Sequence, residues 1–108
     1  VMALNDHVAI GIIRAFSENG IRVPDDIAVV GSENLPEGEF YYVPLTTIDF
    51  QIEKVAREVV DLFRRRLTGD WSDFPRKIVV SPKIVIRHSC GFSNKKQKEV
   101  CDEKEIMQ

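Results

Sequence analysis

No apolar run in this sequence approaches the roughly 20 residues that a bilayer-spanning helix needs, so nothing in it reads as a membrane span. Cysteine is scarce. Cys90 and Cys101 lie outside any metal-ligand spacing, which points to a reducing, cytosolic compartment while leaving a single disulfide open. An excess of one charge is lacking too: 15 basic residues face 17 acidic ones, a balance that creates no field for nucleic acid. There is no G-x-S-x-G elbow and no Gly-rich phosphate loop. His7 and His88 have no ligand spacing between them, so neither a metal nor a cofactor is expected. Val1-Met2-Ala3-Leu4 is too short and uncharged for a signal peptide. Apolar from its first residue, the chain reads as a piece of a longer protein entered at a strand.

What is present is the composition of a folded chain, 44% hydrophobic and 30% charged, which excludes a disordered or fibrous one. Residues 1–4 read as the end of a buried strand. Asn5 and Asp6 offer N-cap chemistry for a helix that runs to about Glu18 and stops at Asn19-Gly20. Val8, Ala9, Ile12, Ile13 and Phe16 fall on one arc of that helix, with Ile10 off the arc near Arg14. After a connector in which Pro24 bars helix continuation, Ile27 to Val30 reads as a second strand. Strand, crossover helix and strand make a βαβ unit, and hence a parallel sheet. The loop "LPEGEFYYVP" comes next, then a third strand over Leu45–Ile48. Asp49 caps a second helix, over about 50–67, whose face is Ile52, Val55, Ala56, Val59, Val60, Phe63 and Leu67. Arg64 to Arg66 complement its C-terminus, and Trp71 and Phe74 cover a surface beyond it. Two short extended pieces, 78–80 and 84–86, precede a polar stretch over 93–108 that is expected to be mobile.

Ligands in open α/β sheets bind beyond the carboxyl ends of the strands. That edge carries Asn5 and Asp6 after the first strand, and Ser32, Glu33 and Asn34 after the second, where Gly31 lets the chain turn. These side chains suit a polyhydroxylated or amide-rich small molecule, since a carboxylate accepting two hydroxyls forms strong charge-assisted bonds. On the residues alone, capping is the favoured role for Asp6, while capping or solvation weighs evenly with ligand contact for Asn5 and Glu33.

"LNDHVAIGIIRAFSENGIRVPDDIAVVGSEN", then "PLTTIDF" and finally "VIRHSC", resemble the C-terminal part of the LacI/GalR (lactose/galactose repressor) family of bacterial transcription regulators. Four motifs, two of them within the first stretch, agree in order and spacing over residues 1–92. The resemblance implies a periplasmic-binding-protein-like (type I) fold, a three-layer α/β/α arrangement on a parallel sheet, of which only the C-terminal portion is present. It implies a small-molecule effector, a carbohydrate by expectation, contacted by Asn5, Ser32, Glu33 and Phe50. Glu33 stands where family members usually place an Asp, so its carboxylate sits one methylene further out. Ile10, Arg14 and Tyr41 match positions of a homodimer interface. Operator DNA would be reached only through a DNA-binding domain absent from this chain. The helix over about 50–67 would pack on an N-terminal lobe that is also absent. Leaving its seven apolar side chains uncovered forfeits on the order of 10–20 kcal/mol, at about 1.5–3 kcal/mol each.

Other classes fit less well. Asp6, Glu33 and Asp49 supply carboxylates for acid–base chemistry but lack any further catalytic constellation, so an enzyme is not expected. A receiver domain needs acidic residues after its strand, whereas Asp25 and Asp26 precede theirs. A solute-binding protein of a transport system shares the fold and differs mainly by export, which only upstream sequence reveals.

Overall fold

The computed structural model describes residues 1–92. The expected mobile stretch over 93–108, with Cys101, lies outside them. Helix α1 spans Asp6–Glu18, α2 spans Pro36–Phe40, β1 spans Thr47–Asp49, α3 spans Ile52–Leu67 and β2 spans Lys83–Val85. Asn5 caps α1 as its residue type predicts, its side chain accepting a hydrogen bond from Val8 N at 2.9 Å. Within the aromatic loop, Pro36 opens the short helix α2, because its missing N–H is not needed in a first turn.

The arrangement departs from a three-layer α/β/α fold on a parallel sheet. The sheet is open and two-stranded, with β1 antiparallel to β2 in the register Thr47–Val85, Ile48–Ile84 and Asp49–Lys83. Parallel pairing is confined to isolated bridges, Met2 with Val30 and Val30 with Thr46. Neither of the first two extended segments has room to grow. The first runs into the α1 cap within a few residues, and the second turns at Gly31. Ladders that should have lengthened are therefore reduced to a few bonds, such as Ala3 N to Val30 O at 2.8 Å and Gly31 N to Thr46 O at 2.9 Å. The 84–86 piece forms β2, one residue earlier than expected, whereas 78–80 pairs with nothing as a strand.

One helix covers this small assembly. Ala9 and Ile13 of α1 pack on Ala3, Val29 and Leu45, which are all buried. The buried arc is rotated from the predicted one, because Val8 is exposed and Ile10 is half-buried against the core edge. Helix α3 supplies no second covering layer and has no buried residue. Its predicted apolar stripe is present and uncovered, with Ile52 and Phe63 each 62% exposed and Leu67 71%.

The end of α3 is held differently from a simple charge–dipole contact. Arg65 pairs with Asp70 at 3.0 Å and Asp73 at 3.1 Å, while Arg66 pairs with Asp73 at 2.9 Å. The Arg66 guanidinium also lies 5.2 Å from the centre of the Trp71 ring, a cation–π distance. These contacts fold the 70–76 loop back on the last turn. Two bonds from Ser72, by hydroxyl and amide, and then the Arg65 guanidinium, lower the Asp70 carboxyl to about 2.

Candidate functional site

Gly31 is where the site begins. A Cβ at this position would overlap Asp6 Oδ1 and approach Leu45 Cδ2 to 3.0 Å, so the backbone passes where no side chain fits. Asp6 is fully buried. Its Oδ1 accepts from the Thr47 hydroxyl at 2.6 Å, and its Oδ2 accepts from Leu35 N at 2.8 Å. A buried carboxylate requires such partners. Thr47 Oγ1 in turn accepts from Asn34 N at 3.3 Å, and Ile48 O accepts from Glu33 N at 2.8 Å. Three consecutive backbone amides, those of Glu33, Asn34 and Leu35, are thereby fixed from outside the turn.

That fixing permits an unusual backbone. Glu33 has φ 108° and Asn34 has φ 53°, both in the left-handed region. Asn tolerates this conformation better than Glu does. Such residues cost on the order of 1–3 kcal/mol each and persist only where their surroundings over-determine them. Hydrogen bonds worth about 0.5–1.5 kcal/mol each, and more when they reach the Asp6 carboxylate, offset that cost.

Glu33 and Asn34 form one wall of a cleft of about 710 Å³. Asp49 at the end of β1 adjoins them, and Gln51, Lys54 and Arg57 from the start of α3 face in. Gln51, with φ 53°, is the third non-glycine residue in the left-handed region among the described residues, and all three line this cleft. Asp49 Oδ1 accepts from Gln51 N at 2.7 Å, and the Gln51 side-chain amide donates to the Ser81 carbonyl. Carboxylates, an amide, an ammonium and a guanidinium around one opening can satisfy the hydroxyls and ring oxygens of a polar ligand. Among the described residues, no cluster of His, Cys, Asp and Glu has the proximity to hold a metal ion.

The candidates from the sequence are distributed unevenly. Glu33 is exposed in the cleft wall. Ser32 is buried, and its hydroxyl donates to Leu4 O at 2.6 Å. Asn5 lies beside that turn, where Asp6 N donates to Ser32 O at 3.0 Å, but its side chain caps α1 and does not line the cleft. Phe50 is 42% exposed next to the cleft and outside its lining. On the far side of α1, Arg14 pairs with Glu18 at 2.7 Å. Tyr41 packs at the core edge with Ile10, its ring tilted 53° against that of Tyr42 with the centres 4.6 Å apart, and burial raises its hydroxyl pKa. The buried Asp6–Thr47 pair was not legible as the support of the turn. The only hint was an acid directly after a capping Asn, opposite a glycine at a strand end.

Residues 1–90 match the family described as the periplasmic binding protein-like domain. The chain belongs to that family. It is 35% identical over 91 residues to the HTH-type transcriptional repressor MelR of Bacillus subtilis (strain 168), an alignment covering 84% of this chain and 26% of the relative. A LacI family transcriptional regulator from Arthrobacter sp. FB24, solved in complex with lactose, superposes with a TM-score of 0.73 at 34% identity, over 82% of this chain and 34% of that one. The lac repressor dimer bound to operator and the anti-inducer ONPF superposes with a TM-score of 0.75 at 29% identity, over 82% and 26%. These likenesses place the chain with the LacI/GalR family. It spans about a quarter of the length of the curated relatives it matches.

Proposed function

We propose that residues 1–92 are the C-terminal part of an effector-sensing domain in a cytoplasmic transcription regulator, and that the effector is a sugar or sugar derivative. The observation that carries this reading is the convergence of Glu33, Asn34 and Gln51, each in a strained backbone state, on one polar cleft. Lactose bound to the Arthrobacter relative supports the choice of ligand class. Glu33 accepts effector hydroxyls, with Phe50 at the rim of the pocket, while Asn5 and Ser32 support the turn beside it through the α1 cap and the bond to Leu4 O. The second wall is a lobe outside this chain, which also covers the apolar stripe of α3. Ile10, Arg14 and Tyr41 form part of a homodimer contact. The lac repressor relative, a dimer on operator, supports that assembly. Effector binding biases the relative orientation of the lobes, and the dimer then presents DNA-binding heads, also outside this chain, at a spacing that fits or misfits an operator. Only a ligand that prefers one closure state acts in this way.

The test is Glu33→Ala in the intact protein. Loss of a charge-assisted bond of about 1.5–3 kcal/mol weakens effector binding by roughly 10- to 150-fold in calorimetry. Effector-free operator affinity stays within about twofold, since the lobe orientation without ligand does not depend on this side chain. Equal effector affinity removes Glu33 from the site.

A further inference from the structure

Asn34 is held at both ends of its side-chain amide. Its Oδ1 accepts from Arg87 Nη2 at 3.0 Å, and its Nδ2 donates to Asp49 Oδ2 at 3.3 Å. The chemistry fixes the orientation, because a guanidinium only donates and a carboxylate only accepts. Arg87 is itself anchored. Its Nη1 donates to Leu45 O at 2.9 Å and its backbone N to Thr46 Oγ1 at 2.9 Å. One amide thus links the strained turn to the segment after β2 on one side and to the end of β1 on the other.

We propose that Arg87, acting through Asn34, is a positioning residue that holds the Glu33–Asn34 turn in its left-handed conformation and so aims the Glu33 carboxylate into the cleft. This rests on the effector-site reading of Glu33. The amide bonds to Glu33, Asn34 and Leu35 hold the turn's backbone in place along the chain. They restrain only the N–H groups, and the Arg87–Asn34–Asp49 strap adds the anchor on the side-chain side that keeps Glu33 from relaxing to negative φ. A neutral amide is the side chain that fits between these two charges. An Asp at this position would keep the Arg87 contact while setting two carboxylates against each other.

The experiment uses the intact protein with selectively labelled Glu, Asn, Ala and Ile, in wild type, Arg87→Lys and Asn34→Leu. Three-bond HN–Cβ couplings and intraresidue HN–Hα NOEs read the sign of φ at residues 33 and 34 without any ligand. The wild type shows positive φ at both. Each variant loses it at Glu33, while the resonances of Ala9 and Ile13 in the core stay in place. Asn34→Leu leaves the Arg87–Leu45 contact intact, and Arg87→Lys leaves Asn34 with its own tolerance of positive φ, so a loss in both separates the strap from general support of the fold and from the preference of residue 34. Retention of positive φ in both variants overturns the proposal. Calorimetry with lactose, cellobiose and sucrose provides the second arm. For a sugar that the wild type binds, affinity falls about tenfold or more in both variants with an unchanged thermal midpoint, and equal affinity overturns the proposal. If none of the three sugars binds wild type yet the couplings respond as expected, the positioning role stands and the choice of ligand fails.

Discussion

Removing the Asp6 carboxylate is the perturbation whose consequences the structure specifies most closely. Asp6→Ala deletes two hydrogen bonds, from the Thr47 hydroxyl at 2.6 Å and from Leu35 N at 2.8 Å. Bonds to a charged acceptor contribute about 1.5–3 kcal/mol each, giving a gross loss of about 3–6 kcal/mol. Relief from burying the charge returns part of that, so the net destabilisation should be about 2–4 kcal/mol. Asp6→Asn is nearly isosteric and discriminates further. Its oxygen can still accept from Leu35 N, and its nitrogen can donate to Thr47 Oγ1, whose own hydrogen is then left without an acceptor. The expected loss is about 1–2 kcal/mol, clearly below that of the alanine variant. Because Asp6 and Thr47 touch, Thr47→Val combined with Asp6→Ala should cost less than the two changes summed. Urea unfolding measures these differences, and amide exchange at Leu35 gives a local readout that should accelerate most in Asp6→Ala. An alanine variant within about 0.5 kcal/mol of wild type, the range of ordinary surface changes, would refute the claim that this carboxylate supports the turn.

Gly31→Ala should destabilise by about 1–3 kcal/mol or more, because its Cβ overlaps Asp6 Oδ1 and neither oxygen of Asp6 is free to move; urea unfolding checks it. Asp70, ordinarily near 3.8, is held at about 2 in the folded chain. A depressed acid contributes stability above its unfolded pKa and loses it as pH falls through the folded value, so the contacts of the 70–76 loop should weaken between about pH 4 and 2. In a carboxyl-carbon NMR titration the midpoint should rise toward 3.8 in Ser72→Ala, since Ser72 supplies the first cause of the shift. Ile10→Glu should shift the intact protein toward monomer in sedimentation equilibrium, by burying a charge in the proposed dimer contact at the cost of several kcal/mol; an unchanged dimer would remove Ile10 from it.

Local signals were the legible ones. The cap at Asn5, the stop near Asn19-Gly20 and the amphipathic stripe of α3 all arise from contacts within a turn or two of helix, and the structure shows each close to its predicted position. Pairing was less legible. Apolar runs at 27–30 and 45–48 carry no record of how far a ladder extends or in which direction it pairs; here the first turns at Gly31 after isolated parallel bridges, and the second continues as β1, over Thr47–Asp49, antiparallel to β2. Glu33 was legible as a candidate because it comes just after a glycine at a strand end. The partners that hold its turn were not, since Thr47 lies 41 residues from Asp6 and Arg87 lies 53 from Asn34.

By itself, then, the order of residues determined the two longer helices, the cap at Asn5, the apolar face of α3 and the family, because each is written in short-range spacing or in blocks of contiguous sequence. The cap expected of Asp49 is not formed, since Gln51 in the left-handed region opens α3 without a side-chain bond, and the 35–44 loop holds the short helix α2. Tertiary structure alone decided the direction and extent of strand pairing, the burial of Asp6, and which polar side chains face the cleft. Those depend on hydrogen bonds closed across tens of residues, where a buried donor or acceptor accepts only the partner that the packed chain brings to it.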